Sequence, residues 1–193
     1  MTKEIDFYFD FISPYSYLAH QKIKVLEDIN FKYKPVFVGG LHNLQGLNAP
    51  AFIKAKLKHM ISDCELIAKK DKSDFIWNSK FPINSLNIMR GYLFIDSKTK
   101  NLYLNLIFDA YWKDNLDISN EEILKSILNK CKINPIDFYD GIKNPKIKDK
   151  LKAVTQEACD KEIFGTPTFV VNNKIFWGQD RLEFALDEYN KID

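Results

Sequence analysis

The sequence predicts an α/β fold of two strand-bearing halves, β-α-β and β-β-α, separated by a large all-helical insertion. Three observations carry this. An alternating apolar run near the start changes to helical spacing at Ser13-Pro14. A second extended run opens directly after Thr166-Pro167. Between them, from about Ala51 to Lys161, amphipathic segments of helical period recur and no strand pattern does.

Taken in order, Ile5, Phe7, Phe9 and Phe11 fall on one side of the first run, and Asp6, Tyr8 and Asp10 on the other, the period of a strand. Ser13 then supplies an N-cap and Pro14 a first helical residue, with Tyr15, Leu18, Ala19, Val25, Leu26 and Ile29 continuing at helical spacing. Phe31, Tyr33, Val36, Phe37 and Val38 read as the second strand, with Pro35 marking an edge or a strand end because it cannot donate to a ladder, and Gly39-Gly40 closing the unit. Helices are expected over 51–69, 83–94, 102–113, 121–130 and 146–160, with Ser119 and Glu122 as a capping box and Asn134-Pro135 and Asn144-Pro145 as helix starts. Thr168 to Val171, an Asn172-Asn173 turn and Ile175 to Trp177 read as a hairpin. A last helix turns Leu182, Ala185, Leu186 and Tyr189 inward. This is the element order of a thioredoxin-like fold, divided into residues 1–45 and 162–193 with an inserted helical domain over 46–161.

With 193 residues, 46% hydrophobic and 28% charged, the chain has ample material for a core. Its 28 basic and 26 acidic residues leave a net charge of +2, and the lysines are scattered, so nucleic acid is not an expected partner. Glu4, Asp6 and Asp10 interrupt the first ten residues, which therefore lack a secretory signal's apolar core, and no span suits a bilayer; a cytoplasmic protein without membrane attachment is expected. Cys64, Cys131 and Cys159 lie far apart and form neither a C-x-x-C pair nor a ligand cluster with His20, His42 or His59, so no metal is expected.

The start of the first helix is the reactive position in such a fold, since unpaired N–H groups and the helix dipole favour negative charge there. Here it reads Ser13-Pro14-Tyr15-Ser16. Disulfide exchange needs one thiol to attack and one to resolve, so two serines exclude it at this tetrad while keeping a hydroxyl where a thiolate would sit. On its own, Ser-Pro is a capping signal. Thr166-Pro167 stands where this fold places a cis-proline facing the helix start, which leaves the Thr166 backbone open to an extended peptide. Gly178-Gln179-Asp180 opens the last helix, offering N–H groups to a carboxylate and an Asp to an ammonium, the two needs of a γ-glutamyl group.

The segments Phe9-Asp10-Phe11-Ile12-Ser13-Pro14-Tyr15-Ser16-Tyr17-Leu18-Ala19, Phe164-Gly165-Thr166-Pro167-Thr168-Phe169-Val170-Val171 and Phe176-Trp177-Gly178-Gln179-Asp180-Arg181-Leu182 closely resemble 2-hydroxychromene-2-carboxylate isomerases, relatives of the kappa-class glutathione transferases in the DsbA-like branch. The resemblance covers nearly the whole chain, and Phe81-Pro82, Asn84 and Arg90 also look like its pattern. It implies glutathione as cofactor, Ser13 as the catalytic residue against its sulfur, and Ser13, Asn48, Lys56, Thr166, Pro167, Gln179 and Asp180 as its binding residues, with Lys56 facing the glycyl carboxylate. It implies, too, isomerisation of an unsaturated aromatic carboxylate by reversible thiolate addition, with a homodimer as the expected assembly.

A kappa-like transferase and a non-catalytic glutathione-binding module are the alternatives. For the substrate, Arg90 offers a guanidinium to a carboxylate or forms an internal ion pair. Trp112, with Trp77, Phe81, Tyr92 and Tyr111, either walls a pocket or packs in the core.

Overall fold

The computed structural model describes residues 3–192; positions 1, 2 and 193, which the half-domains read from the sequence include, lie outside it. Strand β1 (Ile5–Phe9), helix α1 (Pro14–Ile23) and strand β2 (Phe31–Pro35) form the expected unit, β1 and β2 running parallel with Ile5 opposite Phe31 and Phe9 opposite Pro35. α1 ends six residues before the expected Ile29, and Leu26 and Ile29 close turns onto Ile23 and Leu26 instead. Ten helical residues rise about 15 Å, close to the roughly 17 Å of a five-residue strand, so a longer helix would overshoot the start of β2.

Pro35 is the last residue of β2, as its missing donor requires, but Val36 to Val38 do not extend the strand. Helix α2 (Val38–Gln45) begins there and runs through Gly39 and Gly40. Its first N–H is capped from another element: Asp10 Oδ2 accepts from Val38 N at 2.9 Å. Local pattern cannot reveal a cap that lies 28 residues away.

A 3₁₀ turn (Pro50–Phe52) and helices α3 (Lys54–Asp71), α4 (Leu86–Phe94), α5 (Ser97–Trp112), α6 (Glu121–Lys130), α7 (Pro135–Lys143) and α8 (Pro145–Asp160) follow, with no strand among them. Asn134 and Asn144 cap α7 and α8 through Ile136 N and Lys146 N. The capping box at Ser119 does not form. Asn120 is the cap of α6, accepting from Glu122 N and Ile123 N, because Ser119 is held by Asp117 in the preceding turn. Similarly, Asp96 caps α5 and starts it five residues before Leu102.

Strands β3 (Thr168–Val171) and β4 (Lys174–Trp177), a 3₁₀ turn (Gln179–Arg181) and helix α9 (Leu182–Tyr189) complete the chain. Asn172 and Asn173 both adopt positive φ, the geometry of the tightest hairpin turn. The sheet order is β2-β1-β3-β4, with β3 antiparallel to both neighbours. This is the α/β thioredoxin-like fold with a helical insertion.

Both faces of the sheet are covered. Ile5, Phe7 and Phe9 pack in the main core with Leu18 and Ala19 of α1, Phe108 of α5 and Ala185 of α9. On the other face Tyr8 is wholly buried with Leu41 of α2 and Ala158 of α8, its hydroxyl donating to Glu157 at 3.0 Å and accepting from Lys161 at 3.1 Å. The alternation at β1 therefore separates two buried faces rather than a core face from water. α4 and α7 interlock: Phe138 of α7 fills the space a side chain at Gly91 would take, and Phe94 of α4 does the same at Gly141. None of the described helices is long and apolar enough to cross a membrane.

Candidate active site

Ser13 is the N-cap of α1, in extended conformation, and its hydroxyl is almost buried. Ser13 Oγ accepts from Ser16 N at 3.1 Å and donates to the Thr166 carbonyl at 2.8 Å. Pro14 occupies the first helical position, and no acidic residue stands in the first turn itself.

Asp10 organises this helix start from beneath. Its main-chain carbonyl accepts from Ser13 N, Oδ1 accepts from Ile12 N at 3.2 Å, and Oδ2 accepts from both Val38 N and the Ser85 hydroxyl at 3.0 Å. Complete burial pushes its carboxyl up to about 6, opposed by these hydrogen bonds. At neutral pH it is an anion binding β1, α2 and the start of α4 to one point. The strand alternation hides this residue; the signal available was a carboxylate between two phenylalanines just ahead of an N-cap.

The second loop is Gly165-Thr166-Pro167, with a cis bond before Pro167. Thr168 Oγ1 donates to Gly165 O at 2.7 Å, and Gly178 N donates to Pro167 O at 2.9 Å. Thr166 Oγ1 is buried with no hydrogen-bond partner among the described residues.

Ser13 and Thr166 open on a cleft of about 980 Å³. Ser13, Tyr15, Thr166 and Trp177 line it together with Asn48, Phe52, Lys56 and His59. Tyr15 donates to Asp63 Oδ2 at 2.8 Å, and burial together with that carboxylate raises its phenol so that it stays protonated. His42 also lines the cleft; burial lowers its pKa, and its Nδ1 is enclosed without a partner among the described residues. Tyr15, His42, His59, Phe164 and Trp177 were not singled out as site residues from sequence, since only the fold brings them to one cleft.

Of the residues named from sequence, Ser13, Asn48, Lys56 and Thr166 meet at this cleft, while Pro167, joined to Thr166 by the cis bond, is outside its lining. Gln179 and Asp180 stand outside its lining: Gln179 is buried and accepts from Lys22 Nζ at 2.7 Å, and Asp180 pairs with Arg181 at 2.6 Å. Trp112 is wholly buried behind Phe81, its indole N–H donating to Phe11 O at 2.8 Å. Arg90 does not line the cleft either, and its Nε is buried unpartnered among the described residues.

A family model described as a DSBA-like thioredoxin domain matches residues 4–190. The chain belongs to this family. Within it, the 2-hydroxychromene-2-carboxylate isomerase of Sphingobium xenophagum is 27% identical to this DSBA-like chain over 194 residues, covering 98% of each. Glutathione S-transferase kappa 1 of Caenorhabditis elegans is 26% identical over 203 residues, covering 95% of this chain and 89% of its own. A solved 2-hydroxychromene-2-carboxylate isomerase superposes with a TM-score of 0.88 over 97% of this chain and 95% of its own, at 22% identity, which establishes the shared fold.

Proposed function

We propose that this chain is a glutathione-dependent isomerase that interconverts cis and trans forms of an unsaturated aromatic carboxylate, as the names of its isomerase relatives suggest. The observation that carries the reading is the Ser13 hydroxyl, seated as the cap of a helix N-terminus and lining a large, aromatic-lined cleft. The residues present suit a thiol tripeptide. Thr166 presents an orphaned hydroxyl and a carbonyl beside Ser13, and Lys56 and Asn48 line the same cleft and suit a carboxylate. When bound, glutathione supplies a thiolate that adds reversibly to a conjugated carbon and frees the former double bond to rotate.

Ser13 holds that anion by a hydrogen bond rather than by losing its own proton, since an alcohol is far less acidic than a thiol. Keeping a thiol of pKa ~8.5 ionised at neutral pH takes a drop of roughly two units, about 2.7 kcal/mol. A charge-assisted hydrogen bond of ~1.5–3 kcal/mol with a helix-end contribution of ~0.3–2 kcal/mol is enough. To make that bond the Ser13 proton turns away from Thr166 O, freeing that carbonyl to accept an amide N–H of the ligand. Gln179 and Asp180 take the γ-glutamyl end in this proposal, which requires them to release Lys22 and Arg181.

The test is turnover of 2-hydroxychromene-2-carboxylate with glutathione recovered unchanged. Net consumption of glutathione with an electrophile would favour the second reading, a kappa-like transferase, which the similarity to the Caenorhabditis elegans protein supports. Calorimetry in which glutathione fails to bind would overturn both and leave a fold reused for another purpose.

A further inference from the structure

Two large aromatic side chains beside Ser13 remain half in solvent. Phe164 is 43% exposed and Trp177 52%, and their ring centroids are 4.7 Å apart with the planes tilted by 55°. Both line the cleft. Trp177 ends the edge strand β4, and the chain between the two rings is the one carrying Thr166, whose carbonyl meets Ser13. Gly165 makes the arrangement possible: a Cβ there would stand 2.8 Å from the indole nitrogen, so the missing side chain lets the indole lie close against the loop. A ring used for core packing would be covered, as Trp112 is.

We infer that Trp177 and Phe164 form the wall against which the flat aromatic part of the substrate stacks, and that Trp177 sets the preference for aryl over alkyl carboxylates. The identity of the substrate rests on the function proposed above; the stacking wall itself rests on the geometry. An indole face offers sequence-blind, flat contact to any conjugated ring, worth most when the ring is held in an offset or edge-on arrangement. Gly165 and Phe164 fix the indole's tilt in advance, so little ordering is needed when a ligand arrives. The wall begins two residues before Thr166, whose carbonyl meets Ser13, so a ring stacked on it lies near the Ser13 end of the cleft.

The experiment measures, by calorimetry on the full chain with and without saturating glutathione, the affinity for trans-cinnamate, a flat aryl carboxylate, and for 3-cyclohexylpropanoate, which lacks the flat ring. Trp177→Leu is expected to weaken cinnamate binding about tenfold, the usual scale of one aromatic contact, and Trp177→Phe to restore most of it. Cyclohexylpropanoate binding and glutathione binding are expected to change by less than about threefold. Phe164→Leu provides a second variant with the same expected direction. The inference is overturned if wild-type protein does not bind cinnamate, if Trp177→Leu binds it as well as wild type, or if Trp177→Leu changes self-association instead. Failure of glutathione to bind, with the cinnamate effect intact, sinks the proposed function and leaves the wall standing.

Discussion

Ser13 Oγ lies 2.8 Å from the Thr166 carbonyl and gives its only proton to it. An arriving thiolate must compete for that proton, so the helix cap and the loop before Pro167 are coupled through one hydroxyl. Ser13→Ala removes both bonds. The thiolate absorbance of bound glutathione at neutral pH should fall, its thiol pKa rising by roughly one to two units, the equivalent of a charge-assisted hydrogen bond. Loss of the cap should lower stability by about 1 kcal/mol at the same time. An unchanged thiol titration would remove Ser13 from the chemistry.

Asp10 and His20 titrate against each other. Burial raises Asp10 from 3.8 to about 6 and lowers His20 from 6.5 to about 4, the imidazole being held neutral between Tyr33 and Asn105. A carboxyl raised in the fold stabilises below its unfolded pKa, and that contribution is lost as pH rises through about 6. The histidine contributes above its unfolded value and loses that contribution as pH falls from 6.5 toward about 4. Each shift is of the order of 3 kcal/mol, so the two nearly cancel over the shared window. Asp10→Asn should therefore become more stable as pH rises from about 4 to about 6, and His20→Gln less stable, in urea titrations across that range. Two variants that both track the wild-type profile would refute the assignment.

Lys56 stands exposed in the lining of the same cleft as Ser13. An exposed ion pair contributes only ~0.2–1 kcal/mol, so Lys56→Ala should weaken glutathione binding by no more than about fivefold. Added salt should erase the difference between variant and wild type. A salt-insensitive loss would point to packing of the lysine stem instead.

Trp112 discriminates core from pocket. Trp112→Phe leaves the Phe11 carbonyl without its donor and should destabilise the protein by about 1–3 kcal/mol, read as a lower Tm. Glutathione and cinnamate affinities should remain at the wild-type values. A selective loss of ligand affinity at unchanged Tm would return Trp112 to the substrate pocket.

What could be read from the sequence was local chemistry. The Ser13-Pro14 cap, the Asn172-Asn173 turn and the proline starts of α7 and α8 each need only neighbouring residues, and all form. α2 escaped because its cap, Asp10, belongs to another element. Alternation put Tyr8 on the face opposite Phe7 and Phe9 but cannot reveal that α8 covers that second face as well. At the site, Ser13 and Thr166 were legible because each sits beside a proline, whereas Phe164 and Trp177 read as an ordinary loop and strand until the missing side chain at Gly165 brought them together.

The exchange of aromatic rings between α4 and α7 has a mechanical result. Each helix fills the space beside the other's glycine, so a shift of either along its axis meets two collisions at once. That freezes the strut bearing Ser85 and, through Asp10, the floor under Ser13. Breathing of the cleft then falls to segments outside that strut, such as the three-residue turn on which Phe52 projects into water.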